Sequence, residues 1–310
     1  MKPDSILWVG VDNRRMTSAT PKSLRGVRVL TLALNLPGPA AVMRLRAMGA
    51  QCTKLEPIAP EGHSTADPMG IYKRAAYDAM HQGVRCVQAD LKTDKGQALL
   101  HRHLAHTDVL ITSFRASALH KLGLDWRRLH ARHPALCMVR IVGAGGARAD
   151  EPGHDLTYLA ENGLVPDLNL PATLYADMGG SLLATEAVLS CLLQRASREQ
   201  GVCREVALSD AAAYLALPRT WGLTTPNGDV GGAHAGYRVY ACQNGRVAVA
   251  ALEPHFAVRL CVAAGLPERA ARQMHARSTH EAIAAFLLGQ TRAQLDRLAR
   301  ERDLPLHTLR

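Results

Sequence analysis

A chain of 310 residues is too long for one ordinary core and predicts two domains, since domains run roughly 100–200 residues. A hydrophobic share of 47% and a charged share of 21% exclude a disordered or collagen-like protein, and aromatics at 4% leave Leu, Val and Ala to build the cores. The net charge of +10 admits a polyanionic partner. No run of Lys and Arg interleaved with aromatics occurs, however, so nucleic acid is not expected and a solvated, Arg-rich surface or a phosphorylated ligand is.

Residues 1–24 read as a loose extension, with an apolar patch too short for a signal peptide or a membrane span. From Val27 the pattern becomes strand, turn, helix. Val27–Leu32 is a short apolar strand, Pro37-Gly38-Pro39 breaks it, and residues 40–50 follow as a helix ending near Gly49. Strands are then expected at 52–55, 85–89, 109–112, 136–142 and 205–208. Helices are expected at 94–105, 129–133, 156–161, 179–194 and 210–217. This alternation predicts a doubly wound, mostly parallel α/β sheet over residues 25–222, with ligands at the carboxyl ends of its strands.

Near 224–236 the texture changes to Pro226-Asn227-Gly228 and Gly231-Gly232, a linker signal. Beyond it a hairpin of 237–242 and 247–251 turns through Gln243-Asn244-Gly245. Helices at 256–264, 279–288 and 292–302 complete a smaller α+β domain over 223–310. The seven cysteines form no CxxC pair and several lie in apolar runs, which points to free thiols, no structural zinc and a cytoplasmic protein.

The catalytic signatures that rest on a single motif are absent: no Walker loop, GxGxxG, HExxH or GxSxG occurs, and Gly143-Ala144-Gly145-Gly146 does not have dinucleotide spacing. Three acid–base candidates remain at element ends: His154 within Gly153-His154-Asp155, Asp177 at the start of a long helix, and Glu253 before Pro254. Each also has a plainer use. An Asp at a helix start is most often a cap, Glu-Pro is often only a turn, and a lone His is often a surface residue.

Taken together, ordered segments resemble the family III CoA-transferases (the CaiB/BaiF group) and, within them, the α-methylacyl-CoA racemases. They include Arg25-Gly26-Val27, Pro37-Gly38-Pro39, Lys54-Leu55-Glu56-Pro57, Ala89-Asp90-Leu91-Lys92, Ser113-Phe114-Arg115 and Lys121-Leu122-Gly123-Leu124. Gly153-His154-Asp155, Ala176-Asp177, Ser209-Asp210-Ala211 and Leu252-Glu253-Pro254 continue the series. No single one is diagnostic; their order is, and it covers about residues 24–309.

The resemblance implies that His154 and Asp177 flank the α-carbon of a 2-methylacyl-CoA. It also implies that Glu253 pairs with the His and that the Asp155 amide faces the enolate oxygen. Arg115, with Arg85 and Lys92 nearer the adenine, would meet the phosphates of CoA. No metal or redox cofactor is implied; coenzyme A enters as part of the substrate. An interlocked homodimer is expected, without membrane attachment. In the transferase branch the Asp at position 177 is a nucleophile instead, and a non-catalytic CoA-binding paralogue is the third alternative. The chain departs from the family at Gly143–Arg148, which lacks a Gln and a Gly-Pro pair, and at Ala116-Ser117 and His81-Gln82-Gly83. The interval between His154 and Asp177 is also short.

Overall fold

The computed structural model describes residues 22–310, so most of the extension expected over 1–24 lies outside the described residues. Leu24, assigned to that extension, instead packs in the core, and its N–H donates to the Met48 carbonyl at 2.9 Å. The chain forms two compact units, one running to Leu215 and the other spanning Ala216–Arg310, a division that falls earlier than the boundary expected at 222.

In the first unit the elements are β1 (Arg28–Thr31), α1 (Pro37–Ala47), β2 (Gln51–Glu56), α2 (Pro68–Tyr72), α3 (Arg74–Met80), β3 (Arg85–Gln88) and α4 (Asp94–Leu104). Then follow β4 (Val109–Thr112), α5 (Ala116–Lys121), α6 (Trp126–Arg132), β5 (Cys137–Val142), α7 (Asp155–Glu161), α8 (Tyr175–Arg198), β6 (Cys203–Ala207) and α9 (Leu208–Leu215). The six strands are all parallel, in the order β3-β2-β1-β4-β5-β6. This is the doubly wound sheet expected from the alternation.

Both faces are covered, which is why the central strands carry continuous apolar runs rather than alternation. Val29, Ile111 and Val139 face a core shared with Val42 and Leu45 of α1 and Ala184 and Val188 of α8. Leu30, Leu110 and Met138 face the other core, with Leu100 of α4, Leu119 of α5 and Leu129 of α6. Helix α8 is long and apolar enough to cross a membrane by length and composition. Its Ala184, Val188 and Cys191 are wholly buried in the first core, as befits a central helix. Strand order reverses between β1 and β4, so the loops after those strands splay apart at the carboxyl edge and leave a crevice there.

Helices α2, α3 and α5 escape the apolar periodicity because each is short. The start of α2 is nevertheless written plainly: Asp67 caps it by accepting the Met69 N–H at 3.0 Å, and Pro68 occupies the first turn.

The second unit contains α10 (Leu217–Thr220), β7 (Tyr237–Cys242), β8 (Gly245–Ala250), α11 (Pro254–Ala263), α12 (Arg277–Leu288), α13 (Arg292–Arg302) and β9 (Leu306–Leu309). β7 and β8 form the expected hairpin, and β9, which was not anticipated, pairs antiparallel on the other side of β8. One sheet face packs on Leu260, Ile283, Leu287 and Leu295 of α11 to α13.

Candidate active site

The loops at the carboxyl edge of the parallel sheet carry most of the singled-out residues. His154 follows the loop after β5 and is the N-cap of α7, exposed, with extended backbone. The Thr157 hydroxyl accepts the His154 N–H at 3.1 Å and donates to the His154 carbonyl at 2.8 Å, which fixes the main chain at this turn.

Asp177 does not begin the long helix, as had been expected. α8 starts at Tyr175, and Asp177 is the third residue of its first turn. Its backbone N–H donates to Oδ1 of Asp155 at 3.0 Å. The buried Asp155 carboxylate thereby ties the first turn of α8 to α7, a role distinct from the amide contact expected of that residue. The charge of His154 reaches Asp177 and opposes two stronger effects. Burial, followed by the nearby negative charge of Asp155, pushes the Asp177 carboxyl up to about 6. A histidine and a carboxyl that titrates near neutrality thus share one edge of the sheet, although 154 and 177 lie in separate helices.

Arg115 follows β4 and is the exposed N-cap residue of α5. Its charge is felt at the hydroxyl of Tyr158, as is that of Asp177, so Arg115 belongs to the same edge. Lys92, just beyond β3, lines a cavity of about 500 Å³ at the carboxyl ends of β2, β3 and β4. Leu55, Pro57, Ile58, Leu91 and Phe114 give it apolar walls. Arg85 lies elsewhere on the sheet. It opens β3 at the amino end of the strand, the opposite edge of the sheet, because the strand starts there rather than ends there. Glu253 lies in the second unit, exposed, as the N-cap residue of α11, and makes no capping hydrogen bond.

Sequence reading missed a buried charged cluster at the same edge of β2. Lys54 is wholly buried and its ammonium contacts the buried Asp67 carboxylate, with Glu56 Oε2 at 3.4 Å and His81 Nε2 at 3.0 Å. His81 Nδ1 sits 2.7 Å from the Tyr77 carbonyl, to which it donates, so Nε2 accepts from Lys54. Burial and then the Lys54 charge hold this imidazole below its ordinary pKa, which keeps it neutral. Asp67 also accepts the Asn35 N–H at 3.0 Å, holding the loop after β1 where Asn35 adopts φ 62°. A lysine inside a buried strand was itself the signal, since such a charge persists only when paired. Among the described residues no cluster of three or more His, Cys, Asp or Glu side chains could hold a metal ion.

The model for CoA-transferase family III matches residues 24–310. The chain is 29% identical to a succinyl-CoA–D-citramalate CoA-transferase of Chloroflexus aurantiacus over 92% of its length and 78% of that relative. It is 30% identical to an alpha-methylacyl-CoA racemase of Mus musculus over 78% of its length but just under two thirds, 65%, of the racemase. Its fold is similar to that of a hypothetical protein from Mycobacterium tuberculosis, with a TM-score of 0.79 at 22% identity, covering 94% of this chain and 86% of that one.

Proposed function

Since the chain belongs to CoA-transferase family III, we propose that it acts on acyl-CoA thioesters and epimerises the α-carbon of a 2-methylacyl-CoA. The observation that carries this reading is the shared edge of His154 and Asp177, with the Asp177 carboxyl pushed up to about 6. A group that titrates near neutrality can both take a proton and return it.

The thioester makes the α-proton removable, because the electron pair left behind delocalises into the carbonyl as an enolate. One side chain takes the proton from one face. The other delivers a proton to the opposite face, the enolate electrons re-form the C–H bond, and the configuration inverts. The Asp155 amide is proposed as a donor to the enolate oxygen. Arg115 and Lys92 would meet the phosphates of CoA, and the apolar cavity beside Lys92 suits a flat base. No metal or redox group enters any step.

A homodimer is proposed as the working form. Tyr175, Met178 and Leu182 repeat along one face of α8 and are 43%, 40% and 50% exposed, an apolar stripe that a second copy would cover.

Incubation with a 2-methylacyl-CoA in heavy water is expected to wash deuterium into Cα, and Asp177→Asn to abolish it. The second reading is CoA transfer through Asp177 as nucleophile, favoured by the likeness to the citramalate transferase over nearly the whole chain. An absence of exchange together with a hydroxylamine-sensitive acyl adduct on Asp177 would select it.

A further inference from the structure

Tyr158 is the fourth residue of α7, one turn beyond His154. Helical side chains lean toward the N-terminus, so its ring runs back beneath the turn that carries His154 and Asp155. The residue is only 5% exposed. Its hydroxyl comes so close to two loops that a Cβ on Gly143 would lie 2.2 Å from it and one on Gly153 would lie 2.5 Å from it. Neither glycine has positive φ, so proximity to the phenol, not backbone conformation, is what excludes a side chain there. Gly143 directly follows β5 and Gly153 precedes His154, so the hydroxyl marks the point where both loops converge on the site.

Two further facts bear on its use. The hydroxyl makes no hydrogen bond among the described residues and is not fully sealed from solvent, which leaves its proton unclaimed by the protein. Charges on Asp177, Glu161, Arg148 and Arg115 all act on it. Burial first, and then the negative charge of Asp177, raise its pKa, so the phenol keeps its proton at neutral pH.

We propose that the Tyr158 hydroxyl is a substrate-contacting group of this site, donating a hydrogen bond to the thioester carbonyl oxygen as negative charge develops on it. The proton stays on the tyrosine, and no bond to it breaks. This rests on the reading of the site as one that polarises an acyl-CoA thioester, and it serves epimerisation and acyl transfer alike, since both place negative charge on that oxygen.

Tyr158→Phe removes the donor and keeps the ring. Loss of one such donor costs about 100-fold in kcat or more, with KM for the acyl-CoA changed by less than about threefold. Isotope-edited infrared spectroscopy of a bound ¹³C=O thioester should show the carbonyl stretch at higher frequency in the variant, a readout that a packing role would not move. Gly143→Ala, which drives a methyl into the space of the hydroxyl, should reproduce both effects with the tyrosine present. A Tyr158→Phe protein with kcat within about twofold of the parent and an unmoved carbonyl band would overturn the proposal. So would a loss of kcat matched by an equal loss of affinity for CoA itself. The band is read on bound thioester, so it decides the role of Tyr158 even where the parent catalyses neither exchange nor transfer, an outcome that would sink only the functional reading.

Discussion

Asp155 holds Asp177 by its main chain: one carboxylate accepts the backbone N–H of the other at 3.0 Å. The same contact places two acidic side chains near each other, and the charge of Asp155 helps keep the Asp177 carboxyl protonated up to about 6. Activity that needs ionised Asp177 should therefore fall as pH drops through about 6. Asp155→Asn keeps an acceptor for the amide and removes the charge, so ionisation becomes easier and the acid limb should move to lower pH. A pH profile of α-proton exchange checks this; an unmoved limb would show that burial alone sets the value.

The raised carboxyl also costs stability. Below its ordinary pKa of 3.8 Asp177 is protonated folded and unfolded, and it contributes nothing. Between 3.8 and about 6 the folded state alone holds the proton, so stability is lost as pH rises through that window, and the cost persists above it. Asp177→Asn should melt with the parent near pH 3.5 and above it at pH 7, by about 1–3 kcal/mol. Thermal melts at the two pH values test both halves of the statement.

Among the described residues, Lys54 is the one cation paired with two buried carboxylates, Glu56 and Asp67. Lys54→Met would leave both buried carboxylates without a countercharge and should destabilise the first unit by about 3–5 kcal/mol. Because Asp67 also holds the Asn35 N–H, the loop after β1 should loosen as well. Hydrogen exchange at Asn35 and Met69 is the local readout, and a variant as stable as the parent would contradict the paired-charge account.

Arg115 and Arg85 sit at opposite edges of the sheet, which separates two candidates that looked alike along the chain. Arg115→Ala should weaken CoA binding about tenfold, with a shallower salt dependence. Arg85→Ala should leave it unchanged. Titration of each variant with CoA at low and high salt distinguishes them.

Much of the sheet was legible because its strands are short, apolar and separated by helices. β4 and α13 fell where local pattern put them, and the continuous hydrophobicity of 109–112 announced burial on both faces. The short helices 68–72 and 116–121 carry too few turns to show a period, and β9 has no strand signature apart from its partner β8. His154 and Asp177 were visible as residue types at element ends. Lys54, Asp67 and His81 were not visible as a cluster, since nothing local says that a lysine on β2 and an acid thirteen residues later share one buried space.

The amino-acid sequence alone determined the alternation of strand and helix, the family series from Arg25 to Pro254, and the presence of proton-handling side chains at loop positions. Those are local properties, set by hydrophobic period, turn chemistry and residue type. Only the tertiary structure decided which of these side chains meet. Parallel strand order brings the loops after β4 and β5 to one edge, sends Arg85 to the other, and places the Tyr158 hydroxyl between Gly143 and Gly153. It also set the proton affinity of Asp177, because desolvation and the field of a neighbouring carboxylate depend on distance in space and not along the chain.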